Sequence, residues 1–185
     1  MKAFNKARII LGALGIAMAM GQASSAQALN SNVATVALNA VLAESLTVAA
    51  GPATVNFTPL APNGTTNGSA PVVITTTWAL GKARVSMKVY AGFTSAVALT
   101  DGVGDNIPTA NITGAVNGGA AAPFTGASGP IASNNALTVF SQVVGAVGTF
   151  NSTHSDSVAL QINTTGLALP AGTYTGTLTI QAQAI

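Results

Sequence analysis

Residues 174–184 read Tyr, Thr, Gly, Thr, Leu, Thr, Ile, Gln, Ala, Gln, Ala. Apolar or small side chains alternate with polar ones without a break. A period of two belongs to a strand, whose successive side chains point to opposite faces. A helix would spread the same residues round its whole circumference, so this segment can bury one face only by lying in a sheet. The pattern recurs along the chain. Val36, Leu38, Ala40 and Leu42 alternate with Ala37, Asn39 and Val41. Leu46 and Val48 follow, then Val55 and Phe57, then a β-branched run over 72–78 that ends in Trp78. Val85, Met87, Val89 and Ala91 alternate with Arg84, Ser86, Lys88 and Tyr90. Val97 and Leu99, then Leu137 and Val139, then Val158, Leu160 and Ile162 supply further strands. Valine and threonine suit such pleated, half-buried surfaces. No segment carries a helical stripe with caps.

Turn formers divide these runs. Gly51-Pro52, Pro62-Asn63-Gly64, Asn67-Gly68, Asp101-Gly102, Asn117-Gly118-Gly119 and Gly129-Pro130 each mark a reversal. Leu169-Pro170-Ala171-Gly172 fits a type I turn, with Pro second and Gly fourth. About seven to nine short strands at this spacing predict an antiparallel sandwich or barrel. Residues 101–135 read as long loops holding one or two weak strands over 107–116. Residues 151–157 are polar enough to form a turn between two strands.

The N-terminus predicts export. Lys2, Lys6 and Arg8 precede an uncharged apolar run over 9–21, and Ala26-Gln27-Ala28 supplies an A-x-A cleavage site. Thirteen apolar residues fall short of the roughly 20 needed to span a bilayer. A type IV pilin leader would keep its apolar helix and place a glutamate just past the cut, and neither feature is present. The expected division is a signal peptide over 1–28 and one β-domain over 29–185, with residues 29–42 as its first strand or as a strand donated to a neighbour.

Past the leader the cations are Lys82, Arg84 and Lys88, and the anions are Glu44, Asp101, Asp105 and Asp156. Ordinary chains carry about 25% charged residues. So sparse a chain cannot neutralise a phosphate backbone, which excludes nucleic acid as a partner. With no cysteine, disulfides, thiolate nucleophiles and Cys-based metal sites are excluded as well. An outer-membrane barrel of eight strands would fit the length, but the aromatics are too few for two girdles.

Few groups could carry chemistry. His154, the only imidazole, shares a strand face with Asp156, but no nucleophile elbow accompanies them. A surface-turn reading of His154 predicts that its removal costs at most about 0.5 kcal/mol. Asp101, Asp105 and Asn106 lie on a Gly-rich loop that could offer oxygens to calcium. They are equally the residues that build turns. Trp78 and Tyr90, near Arg84 and Lys88, could stack on a sugar ring, or Trp78 could sit in the core. Triplets of the N-x-[ST] form begin at Asn56, Asn63, Asn67, Asn111, Asn151 and Asn163 and matter only in a host that glycosylates them. No catalytic residue and no cofactor is expected.

The closing segment LPAGTYTGTLTIQAQAI (169–185) resembles the last strand of fimbrial-type and spore-coat-protein-U-like secreted modules. The opening VALNAVLAESLTVAAGPATVNF (36–57) is similar to the first strands of such bacterial sandwiches, and the whole chain resembles uncharacterised exported bacterial proteins of this length. The resemblance implies an immunoglobulin-like sandwich at the cell surface, polymerised by strand donation through Val36, Leu38, Ala40 and Leu42. The expected function is that of a secreted structural subunit of a surface fibre, coat or matrix. Its partners would be further copies of itself or other surface proteins. The alternative is an adhesin-like carbohydrate-binding module using Trp78 or Tyr90.

Overall fold

The computed structural model describes residues 31–126, 129–131, 134–145 and 148–185. The expected leader and its cleavage site before Leu29 lie outside these residues. By internal contacts the chain divides into Met1–Ala40 and Val41–Ile185. All the strands described belong to the second unit. They are β1 (Ser45–Gly51), β2 (Thr65–Asn67), β3 (Val72–Ala79), β4 (Ser86–Gly92), β5 (Val97–Thr100) and β6 (Asn106–Pro108). After a single 3-10 turn at Thr109–Asn111 come β7 (Ile112–Val116), β8 (Ala121–Pro123), β9 (Ala136–Val143), β10 (Asn151–Asn163) and β11 (Thr179–Ala184).

The strands form open sheets. The larger has the order β1-β3-β10-β7-β8, with β2 pairing further along β10. The smaller has the order β11-β4-β9, and β5 and β6 make a separate hairpin. Every pairing is antiparallel. The alternation seen in the sequence does its work here. In β3 the side chains of Val72, Ile74, Thr76 and Trp78 are buried while Val73 and Thr77 face out. In β10 Asp156, Val158, Leu160 and Ile162 are buried in the same way. One core cluster joins Ile74, Trp78 and Val158 from the larger sheet to Met87, Val89 and Val139 from the smaller. The molecule is thus an all-β antiparallel sandwich, held without any disulfide.

Two turns are fixed by specific chemistry. Between β7 and β8, Asn117 and Gly118 both have positive φ, at 50° and 73°. Asn-Gly is the pair that tolerates this reversal, which matches the right-handed twist of a hairpin. Before β11, the Tyr174 hydroxyl donates to the Pro170 carbonyl at 3.0 Å. A tyrosine tied back to the main chain a few residues upstream is the corner device of immunoglobulin-like sandwiches. It fixes the bend over 169–174 by a side chain, not by the turn's own backbone alone.

The sequence reading needs correction at three places. Eleven strands are present among the described residues, not seven to nine, because β2, β5, β6 and β8 are only three or four residues long. The alternation over 174–184 makes a strand only from Thr179. Thr175 instead exchanges both backbone hydrogen bonds with Thr100 on β5. Residues 151–157 are no turn: they open β10 and pair with β3 from Ala79 to Val73. The weak strands expected over 107–116 are β6 and β7, interrupted by the 3-10 turn.

Candidate functional site

Residues 31–44 form no strand, and the first ladder begins at Ser45. Val36, Leu38, Ala40 and Leu42 therefore do not supply the first strand of their own sandwich. Val33, Val36, Leu38, Val41 and Leu42 are each more than four-fifths exposed. Single exposed apolar residues are normal, but a contiguous series marks an interaction site or an aggregation liability.

The root of this arm is fixed at Glu44. Its carboxylate accepts from the backbone N–H of Gly81 and from the guanidinium of Arg84, with Nη2 at 2.9 Å and Nε at 3.3 Å. Arg84 also donates through Nη1 to the Ala184 carbonyl at 3.4 Å. The start of β1, the turn before β4 and the end of β11 are thereby joined. The Arg84 side chain, and then the Gly81 N–H, hold the Glu44 carboxyl below the usual carboxylate range. A carboxyl depressed in the fold stabilises it above the unfolded range and loses that contribution as the pH falls. Glu44→Gln should therefore unfold with a flatter acid limb below about pH 4.5, followed by denaturant melts at stepped pH. Equal acid slopes for parent and variant would contradict the clamp. Because both groups are exposed, the effect is small.

Beyond this clamp β1 and β11 stay close to one another without pairing. Among the described residues β1 is hydrogen-bonded only to β3, and β11 only to β4. Between the end of β1 with the chain that follows it and the approach to β11 lies a groove of about 390 Å³. Val55, Phe57, Leu178 and Ile180 line its walls, and Phe93 and Leu160 from the core lie at its floor. No charged residue lines it. Sequence reasoning missed this feature, because a groove is a relation between two edges that lie far apart in the chain.

His154 and Asp156 share the inward face of β10, as the period of two requires. Asp156 is buried, and its Oδ1 accepts from His154 Nε2 at 3.1 Å and from Asn117 Nδ2 at 2.8 Å. Its Oδ2 and the hydroxyl of buried Thr76 have no partner. The imidazole stacks on Phe140 of the opposing sheet, with ring centres 4.0 Å apart. Asn117 completes the group by accepting the Ser157 N–H at 2.8 Å. This ties the β7–β8 turn to the central strand. His154 is thus a packed member of a polar network and not a surface-turn residue. His154→Ala should cost about 0.5–1.5 kcal/mol, because Asp156 Oδ1 loses one of its two partners while Asn117 keeps the other, and Phe140 loses the ring stacked on it. A urea titration checks this, and a loss under 0.5 kcal/mol would restore the surface-turn reading.

The loop over 101–106 closes the β5–β6 hairpin. Asp101 Oδ1 accepts the backbone N–H groups of Val103, Gly104 and Asp105 at 2.9–3.1 Å. These bonds, the one from Val103 foremost, lower the Asp101 pKa. The Asn106 amide donates to the Gly104 carbonyl at 3.1 Å. Asp101 and Asn106 thus act within the turn itself, which is the turn-forming use of these residue types. No group of three or more His, Asp or Glu able to hold a metal occurs among the described residues. Tyr174 lies near enough that burial first, and then the charges of Asp105 and Asp101, raise its phenol pKa.

Trp78 and Tyr90 are not available to a sugar. Trp78 is 4% exposed, its indole N–H donates to the Thr149 carbonyl at 3.0 Å, and its ring packs against Phe140. Tyr90 is 2% exposed in a small cluster with Ile131 and Ala136. The sequence placed Tyr90 on the polar face of its strand. The β4–β9 register shifts at Val89/Tyr90, and Gly129, Ile131 and Ala136 pack against the Tyr90 ring on that outer face. Arg84 precedes β4 and is committed to Glu44, so it does not share a strand face with Lys88.

No helix of the described residues is long and apolar enough to cross a membrane. Comparison with known proteins gives no match to any family model, curated protein or solved structure.

Proposed function

We propose that the protein is an exported, non-enzymatic structural subunit of a cell-surface fibre, coat or matrix, assembled through β-strand pairing. The observation that carries this reading is the arm before Glu44: uncharged, strandless and exposing five large aliphatic side chains. An apolar segment with free main-chain groups is a hazard unless a partner covers it. A strand added to a sheet edge satisfies those groups and places alternate side chains in pockets. The leader expected over 1–28 supports delivery outside the cell, where such assemblies are built. The burial of Trp78 and Tyr90 removes the aromatic platform on which the carbohydrate-binding alternative rested. Electron microscopy and sedimentation of the exported protein test the reading. Filaments or extended multimers are expected, and a monodisperse monomer at high concentration would overturn it.

A further inference from the structure

We infer that Asn163 accepts an asparagine-linked oligosaccharide, transferred from a lipid diphosphate to the folded protein after export, and that the fold selects it from the N-x-[ST] triplets of the chain. The inference rests on the export reading above and adds a modification site to it.

The triplet Asn163-Thr164-Thr165 stands where β10 ends. Its middle residue is pinned inward. Thr164 is buried, its N–H donates to the Gly64 carbonyl at 2.8 Å, and its hydroxyl accepts the Gly64 N–H at 3.0 Å. Asn163 and Thr165, on either side of it, are both exposed. The Asn163 Oδ1 accepts the Thr165 N–H at 2.9 Å, which holds the carboxamide against its own triplet and leaves Nδ2 outermost. Among the described residues neither that nitrogen nor the Thr165 hydroxyl has a partner. These are the two groups that the transfer requires, the nitrogen to take the sugar and the hydroxyl to be read.

The other triplets lack this combination. The Asn111 Nδ2 donates to the Asn163 carbonyl at 2.8 Å. Asn63 turns away from Thr65, and its Oδ1 accepts the Gly166 N–H at 3.0 Å. The Ser69 hydroxyl, two residues past Asn67, accepts the Asn56 N–H at 3.0 Å. The Thr153 hydroxyl, two past Asn151, is bonded to that of Thr77 at 3.1 Å. Asn56 carries no bond that aligns its carboxamide with Thr58, and Pro59 follows at once. A pre-organised acceptor loses less freedom on binding an enzyme than an unaligned one.

In the transfer, Asn163 Nδ2 forms a bond to the anomeric carbon of the oligosaccharide. The bond from that carbon to the diphosphate oxygen breaks, and the lipid diphosphate leaves with the electron pair. The amide proton passes to a base of the transferase. The thirteen residues of β10 place Asn163 roughly 40 Å from Asn151, which lies in the row containing Ser45. The glycan thus leaves the clamp at Glu44 clear and adds a hydrated, solubilising group to a chain with few charges.

Peptide mapping by mass spectrometry of the protein exported by its own host tests this. The peptide holding Asn163 should carry a glycan, and the peptides of the other triplets should be largely bare. Asn163→Asp keeps the oxygen that accepts the Thr165 N–H but has no amide nitrogen, and should abolish the modification. Thr165→Val should lower occupancy at least about tenfold, since the transferase loses a hydroxyl that it reads, while Thr165→Ser should retain it. Circular dichroism of each variant should match the parent. An exported protein with a bare Asn163 would overturn the inference alone. Equal occupancy at all the triplets would show that the fold does not select, and would overturn it too, as would occupancy indifferent to Thr165→Val. Protein that stays inside the cell with residues 1–28 attached would overturn the export reading and the inference together.

Discussion

Phe124→Ala should lower the unfolding free energy by about 3–5 kcal/mol, the range for truncating a large buried aromatic. Phe124 is completely buried and meets Phe93 edge-on, with ring centres 5.4 Å apart. Its ring also fills the space beside Gly114. A Cβ on Gly114 would lie 3.2 Å from that ring and 2.9 Å from the Leu137 side chain. The packing is therefore tight on that side, and the neighbours can collapse little into the space a truncation leaves. Single domains are stable by only about 5–15 kcal/mol, so the loss is a large fraction of the whole. Urea titration should show a lower midpoint with an unchanged slope, since the surface exposed on unfolding hardly alters. A loss under 1 kcal/mol would mean that β8 and the chain after it can repack, and that the core does not depend on this edge.

Removing residues 29–42 should act in the opposite sense, sparing the fold and abolishing assembly. The strands that build the core begin at Ser45, and the clamp on Glu44 remains. The truncated protein should therefore keep its unfolding free energy within about 0.5 kcal/mol of the parent. It should sediment as a monomer where the parent forms multimers. Had the arm been the first strand of its own sandwich, the truncation would remove part of the core and the protein would unfold. A large fall in stability would thus contradict the exposed arm. Persistent multimers would contradict its role in assembly.

The difference between these two residues, Phe124 and Leu38, marks how far the sequence could be read. Some runs with a period of two became strands where they were expected, with 72–78 realised as β3 and Val158, Leu160 and Ile162 as the inner face of β10, while 36–42 formed none and 174–184 only from Thr179. Three-residue strands such as β2 and β8 have no period to detect, so Phe124 stayed hidden in a Gly-rich stretch. Residues 151–157 misled because the buried positions there hold His154 and Asp156. Polarity usually signals a turn, and only the Asn117 amide and the Phe140 ring reveal why these groups can face inward. Tyr90 misled through the register shift in β4, which breaks the inside–outside alternation. The arm was legible as an apolar stripe, but whether its own sheet would take it up depends on distant partners. The groove had no local signal at all.

The pairing of β1 with β3 runs in register from Ser45 opposite Ala79 to Gly51 opposite Val73. Were the arm held by a neighbour as proposed, tension would enter the sandwich at Glu44, at the start of β1. Bonds of an antiparallel ladder lie perpendicular to the strands. A pull along the strand therefore loads the rungs together in shear, while a pull across it would open them one at a time. The Glu44–Arg84 pair lies where the force arrives and would be the first contact to yield. Under the proposed assembly, the same seven-residue strand that closes one edge of the larger sheet would take up in shear any load applied along it.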